Sequence, residues 1–156
     1  MIVSDALTDV MTAIRTALAA DAALVAIVGH DASGAVKVYA RPPQHEAMPY
    51  VIVGDASTLD DSTSDTFGQT FIFDIGCWDQ PTVGMSPSHA NIRAMMARVS
   101  ALFHMQPDQS GDRAQWSIAG RNLIVSRVTG AQAIQLQPDG ITNQGIVTLN
   151  VLVGHP

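Results

Sequence analysis

Cysteine is almost absent from this sequence, since Cys77 is the only one in 156 residues. A single thiol cannot form an internal disulfide, so nothing in the sequence requires an oxidising compartment. Cys77 lies in an apolar run, where it alternates in phase with Phe71, Phe73 and Ile75. This phase predicts a buried, protonated thiol rather than a nucleophile.

Basic residues are also scarce and scattered. Eight lysines and arginines stand against fourteen acidic residues, which gives a formal net charge of -6. Nucleic-acid binding depends on clustered cations, so this balance argues against it as a main function. Charged residues make up 14% of the chain and hydrophobic residues 47%. A surface so poor in charge is expected to be partly covered by partner proteins.

Long apolar runs are missing as well. No stretch approaches the roughly 20 residues that span a bilayer. Residues 1–5 contain no basic region of the kind that opens a signal peptide. These two features predict a protein that is made and kept in the cytoplasm, without a membrane partner.

Helical periodicity occurs in two places. Over residues 4–20, large apolar residues recur every three or four positions, and a short helix is predicted to follow over residues 22–28 between Asp21 and Gly29. A second main helix is predicted to begin at Ser88. Its apolar stripe consists of Ile92, Met95, Met96, Val99, Leu102 and Phe103.

The rest of the chain favours β structure. Strands are predicted over residues 36–40, 50–55, 69–78, 114–118, 122–135 and 145–153. Helices in two places around a mainly antiparallel, mixed sheet form an α+β fold. The predicted plan is thus two main helices and one short helix near the N-terminus, packed on the sheet in a single domain of residues 1–156.

One segment is predicted to lack regular structure. Residues 56–66 are almost wholly small and polar and follow neither the helical nor the strand period, so they predict a long, mobile, exposed loop. We expect this loop to act as an arm that becomes ordered on contact with a partner. Residues 105–113 form a second polar stretch.

The residues that could carry chemistry fail on spacing. The acidic cluster of Asp55, Asp60, Asp61 and Asp65 lacks the central glycine and terminal glutamate of a calcium loop. No two of the five histidines are separated by two to five residues, as common zinc sites require. The glycines at positions 29 and 34 lack the following lysine of a phosphate-binding loop. The sequence therefore predicts no catalytic residue, no metal site and no cofactor.

Four segments in order resemble the tail-completion, or tail-terminator, proteins of long-tailed bacteriophages, prophages and gene transfer agents. They are an amphipathic helix running into residues 19–29, a proline-rich link and Pro-Tyr-Val strand at residues 38–52, an aromatic strand at residues 71–78, and a closing turn and strand at residues 137–149. The resemblance covers nearly the whole chain and is one of pattern rather than of an invariant motif.

The resemblance implies a structural protein that forms a hexameric ring on the finished tail tube, ends tube polymerisation and offers the surface to which the DNA-filled head joins. The implied partners are further copies of the chain, the major tail tube protein, a head-completion or connector protein and the end of the tape measure. DNA only passes through the lumen. The chain is expected in the host bacterial cytoplasm during assembly and then in the virion.

The predicted assembly interface combines the polar loop with the proline-rich link. Its residues are Arg41, Pro43, Leu59, Asp60, Asp61 and Asp65. Two alternatives stay open: a head-closure or connector role in the same particle, and a small enzyme or ligand-binding module whose site forms between subunits.

Overall fold

The computed structural model of the chain describes residues 6–54, 56–60, 68–80, 90–108, 111–136 and 142–154. These residues form three helices and eight strands, which are α1 (Ala6–Ala20), α2 (Ala22–Val28), β1 (Val38–Tyr39), β2 (Tyr50–Val53), β3 (Ser57–Asp60), β4 (Gly68–Asp79), α3 (Ala90–Phe103), β5 (Gln106–Asp108), β6 (Gly111–Arg113), β7 (Asn122–Leu136) and β8 (Asn143–Gly154). The α+β prediction is confirmed.

The helices bury the stripes that their periodicity predicts. α1 buries Ala6, Val10, Ile14 and Leu18, and α3 buries Ile92, Met95, Val99 and Phe103. Both stripes face the same core, because apolar residues three and four apart lie on one side of a helix.

Asp21 joins the helices to one another. Its carboxylate accepts the Leu24 amide at 3.0 Å, which caps α2. The same carboxylate accepts two hydrogen bonds from the Arg98 guanidinium of α3, at 2.9 and 2.8 Å. These Arg98 hydrogen bonds hold the pKa of Asp21 below its usual value of 3.8. At the other end of α2, Gly29 adopts a φ of 70°, which suits glycine.

The main sheet has the order β1-β2-β4-β8-β7. β3 pairs with β4 on the same side as β2 but at a different stretch of β4. β4 and β8 pair over twelve residues each, from Gly68 opposite Gly154 to Asp79 opposite Asn143. The pairing is antiparallel throughout this sheet except between β1 and β2. β5 and β6 form a separate hairpin.

One face of the sheet carries the core. Its fully buried residues alternate along the two central strands, as Phe73, Ile75 and Cys77 on β4 and Val147, Leu149 and Val151 on β8. α3 contacts β4, β7 and β8, while α1 contacts β1 and β2. The close approach of α3 depends on Gly145, where an added Cβ would lie 2.7 Å from the buried Ile92.

Three predicted strands are wrong or shorter in the structure. Residues 114–118 form no strand, because Trp116 and Ile118 are buried by packing on the core rather than by pairing. Trp116 meets Phe103 edge-on, with ring centroids 5.2 Å apart. In the predicted strand over residues 36–40, only Val38 and Tyr39 pair with β2. The strand predicted over residues 50–55 ends at Val53.

The irregular loop predicted over residues 56–66 is also corrected in part. Residues 57–60 of the predicted loop form β3, and part of the polar stretch 105–113 forms the β5-β6 hairpin. None of these three strands shows apolar alternation, so their pairing comes from neighbouring segments rather than from their own pattern. Residues 61–66 of the predicted loop lie outside the described part of the chain.

Candidate assembly surface

Four of the six predicted interface residues are described, and they lie next to β1 or within β3. Arg41 and Pro43 follow β1, while Leu59 and Asp60 belong to β3. The end of β1 lies beside the end of β2, since Tyr39 pairs with Ile52, and the chain passes from β2 through Gly54 into β3. Asp61 and Asp65 lie outside the described residues, so their placement stays a prediction.

The link that carries Arg41 and Pro43 is held by contacts of Lys37 with its later residues. The buried Lys37 donates from Nζ to the Ala47 carbonyl at 2.6 Å and lies 3.4 Å from a Glu46 carboxylate oxygen. Arg41 and Pro43 themselves are exposed. The link is therefore held by Lys37, while the side chains of Arg41 and Pro43 remain accessible.

A second anchor holds the turn before β1. The carboxylate of Asp31 accepts hydrogen bonds from the Ser33 hydroxyl at 2.6 Å and the Tyr39 hydroxyl at 2.8 Å. These bonds, the Ser33 bond first, lower the pKa of Asp31 to about 2. Burial, together with the neighbouring Asp31, raises the pKa of Tyr39. Tyr39 also contacts Tyr50 edge-on, with centroids 6.3 Å apart.

β3 forms an open edge of the sheet. Its four residues pair with β4 on one side, from Ser57 opposite Ile72 to Asp60 opposite Gln69. Among the described residues, no strand pairs with its other side. Leu59, in the middle of this strand, is 56% exposed. An exposed edge with an apolar side chain is a typical place for another chain to add a strand.

The opposite edge, β7, is closed over part of its length. The Met105 amide donates to the Ser126 carbonyl at 2.9 Å, and the Val128 amide donates to His104 Nδ1 at 3.1 Å. The Ser126 hydroxyl, which is buried, accepts the Trp116 indole N–H at 2.9 Å and donates to the Phe103 carbonyl. The segment after α3 therefore provides hydrogen-bond partners for backbone groups of β7 around Ser126.

Ile124, close to this closed stretch, is 48% exposed. It is the extra residue of a β-bulge, because Leu123 pairs with Val153 and Val125 pairs with Leu152. Leu59 and Ile124 are the exposed large hydrophobic residues of the described chain. The sequence predicts Leu59 as an interface residue and does not predict Ile124. The signal that points to Ile124 is the loss of strict alternation in the apolar run at 123–125.

An open groove of about 610 Å³ lies between α1, the end of α3 and the segment around Trp116. Two acidic residues line it, and both are already paired: Asp9 with Arg121 at 2.8 Å and Asp21 with Arg98 at 2.8 Å. The side chains of Ala13, Ala17 and Ala20 make one wall. The groove offers apolar surface and no unpaired carboxylate for acid-base chemistry.

The candidate chemical groups lie apart from one another. Burial raises the pKa of the Cys77 thiol to about 12, so it stays protonated. Within the part of the chain that the structure describes, no group of three or more histidine, cysteine or acidic side chains could hold a metal. His104 caps the edge of β7, whereas His89 and His155 lie outside the described residues, as does Asp55.

No single helix of the described residues has the length and apolar character needed to cross a membrane. α1 and α2 reach that length and composition only when they are taken together, and they are bent by 81° at Asp21.

A family model described as tail completion protein gp17 matches residues 12–154. One solved structure with the same fold is a chain from the virion of a native gene transfer agent particle. It has a TM-score of 0.75 and 20% sequence identity, over 97% of this chain and 99% of that one. No curated protein matches the sequence.

Proposed function

This chain belongs to the tail completion protein gp17 family, and from that premise we propose that it forms a homo-hexameric ring on the end of a phage-type tail tube. The ring ends tube polymerisation and provides the surface to which the DNA-filled head joins. The family match carries the proposal, because residues 12–154 contain the whole sheet and all three helices except the first turns of α1.

The surface of the domain is compatible with this role. A closed ring built from one kind of subunit needs two different contact surfaces on opposite sides of that subunit. The sheet has two edges of different character, an open one at β3 and a partly closed one at β7. The buried, protonated Cys77 and the paired acids of the groove favour a role in assembly rather than in catalysis.

The proposed partners follow from the position of the ring. They are the major tail tube protein on one side, the head-completion or connector protein on the other, and the end of the tape measure. DNA crosses the lumen without being held, and the excess of fourteen acidic over eight basic residues suits such a passage. The subunit is made in the host cytoplasm and ends at the junction of head and tail.

Deletion of this chain from a strain that produces its particles tests the proposal. Electron microscopy should then show tubes of uncontrolled length and heads without tails, and the intact gene supplied in trans should restore particles of uniform tail length. A connector would give a different result, because its loss leaves tubes of normal length that stay unattached. Normal particles without the chain would reject both roles.

Light scattering on the purified chain provides an independent measurement. We expect a ring of six times the 16.5 kDa of one chain, to which the mass of bound tube protein is added when that protein is present. A strictly monomeric chain, alone and with the tube protein, would reject the ring. A thermal shift caused by a metal ion or a metabolite would instead favour the small-enzyme alternative.

A further inference from the structure

The domain has two layers, and both of its outward faces are poor in charge. All three helices lie on the core side of the sheet, where α1 contacts β1 and β2, and α3 contacts β4, β7 and β8. Building on the ring proposed above, we propose that the outer sheet face of one copy packs on the outward side of the helices, the helix face, of the next copy. The occupant of each face is thus a second copy of this chain.

The outer sheet face consists of the residues that alternate with the buried ones on the central strands. Phe73 and Leu149 face the core, whereas Ile72, Ile146 and Leu152 lie in the opposite phase. These three aliphatic residues are half-buried, and no described helix packs on their side of the sheet. An antiparallel sheet that faces water on one side normally carries polar residues there. The outer sheet face is therefore suited to being covered by another subunit.

The helix face is made mainly of small, uncharged side chains. α2 consists only of apolar residues, and its exposed alanines are Ala22, Ala23 and Ala26. α1 exposes a row of threonines four residues apart, which are Thr8, Thr12 and Thr16. Many domains cover both faces of a sheet with helices. In the proposed contact, the neighbouring copy supplies the second helix layer that one chain lacks.

The exposed charges of the two faces are opposite in sign. Asp74, in the middle of β4, is exposed and accepts a hydrogen bond from the Thr148 hydroxyl at 2.9 Å. Arg15 on α1 and Arg93 on α3 are exposed, and neither forms an ion pair within the described chain. The described acidic residues of the helices are already paired with arginines. Arg127 also lies on the outer sheet face, but it already interacts within the chain. The contact therefore brings the Asp74 carboxylate to a face whose unpaired charges are positive.

The geometry of the domain also favours a ring. The two faces lie on opposite sides of one chain, so a contact between them is head to tail, and such contacts close into a ring when the rotation between copies allows it. Contact between two outer sheet faces would instead be two-fold and would stop at a dimer. The proposed contact leaves the open β3 edge to a different partner.

The outer sheet face is large enough for a stable contact. β4 and β8 pair over twelve residues, or ~40 Å of strand length, and the three strands from β4 to β7 are together ~14 Å wide. Their footprint of ~560 Å² is close to the ~600 Å² per partner at the lower end of stable interfaces.

Charge reversal tests the contact. Asp74→Arg should reduce the light-scattering mass from six chains to one, because it places a cation opposite Arg15 and Arg93. Circular dichroism should remain unchanged, since Asp74 is exposed. Two double variants, Asp74→Arg with Arg15→Asp and Asp74→Arg with Arg93→Asp, exchange the charges across the contact, and at least one of them should restore the ring. An intact ring in Asp74→Arg, or no recovery in either double variant, would overturn the proposal.

Cysteine cross-linking provides a readout that changes no charge. Cys77 is buried and protonated, so it can stay in place. Thr148→Cys places a thiol opposite Asp74, and Thr12→Cys places one a single turn from Arg15. In one subunit these positions are separated by the sheet and by the ~10 Å diameter of a helix, so a short thiol cross-linker joins them only between copies. In a denaturing gel, we expect the double variant to give covalent oligomers up to the ring.

A matched control combines Thr148→Cys with Ala32→Cys, which moves the second thiol to an exposed turn before β1 and should give no oligomers. Cross-linked dimers from Thr148→Cys alone would show a two-fold contact of the sheet faces and overturn the proposal. A variant with Thr148→Cys and Thr12→Cys that forms a ring but gives no covalent oligomers would also overturn it, while leaving the proposed function intact. Absence of a ring in the unsubstituted chain would remove both.

Discussion

β3 and β7 lie at two edges of the same sheet, and they differ in whether another segment covers the edge. At β7, the segment after α3 returns to the strand, and His104, Met105 and Trp116 satisfy the groups around Ser126. At β3, no described segment covers the outer side, and Leu59 remains exposed. A natural sheet closes or protects an edge that has no partner. The open β3 edge is therefore the side on which we expect a partner to bind.

The largest expected effect separates the open edge from the core, when leucine is replaced by alanine at one position in each. Leu149 is fully buried beneath the helices, whereas Leu59 is 56% exposed. Leu149→Ala should lower the free energy of unfolding by ~2–5 kcal/mol, because it removes buried methyl groups and leaves a cavity. Leu59→Ala should change it by no more than ~0.5 kcal/mol. Urea unfolding of the monomer measures both, and equal losses would mean that β3 is part of the stable core.

The next prediction removes the side-chain hydrogen bonds of Ser126 at the closed β7 edge. Ser126→Ala should destabilise the domain by ~1–3 kcal/mol, because it leaves the Trp116 indole N–H and the Phe103 carbonyl without their buried partner. Ser57→Ala, at the open edge, serves as the control and should have almost no effect. Tryptophan fluorescence should report a changed environment of Trp116 in the first variant only. Equal stability of the two variants would show that the Ser126 contacts do not close the edge.

A smaller, pH-dependent effect is expected at Asp21, where the helices contact one another. Asp21→Ala should cost ~1 kcal/mol, because α2 loses its cap and Arg98 loses its partner. The folded-state pKa of Asp21 lies below 3.8, so this stabilisation is present above that pH and is lost as the pH falls through the lowered value.

Stability curves of the unsubstituted chain and of Asp21→Ala should therefore converge in acid. Asp31→Ala is the comparison, since Asp31 also has a lowered pKa but anchors the turn near the open edge. A difference between the chain and Asp21→Ala that persists unchanged at low pH would contradict the assignment to the Asp21 carboxylate.

Much of the fold was predictable because the periodic segments bury what their pattern indicates. The structure confirms the apolar stripe of α1 and the cap at Asp21. It also confirms that Cys77 lies on the same buried face of the sheet as Phe73. β3 was missed because Ser57 and Asp60 disfavour strands and the segment shows no apolar alternation, so only its pairing with β4 makes it a strand. Trp116 was placed in a strand because apolar alternation does not distinguish a paired strand from a buried irregular segment.

The candidate surface was only partly predictable. Leu59 could be named from the sequence because it is the single large apolar residue in a polar stretch. Ile124 was not named, because the loss of alternation at 123–125 is a weak signal and its exposure arises from a bulge in the register of β7 with β8. The roles of Arg41, Pro43, Asp60, Asp61 and Asp65 in assembly stay predictions.

The sequence by itself determined the helices, the central strands, the buried thiol and the fold class, because each depends on a local period that matches one buried face. Only the tertiary structure decided which edge of the sheet is closed and which is open. That difference depends on hydrogen bonds between segments far apart in the chain, such as Met105 with Ser126, and no local pattern encodes them.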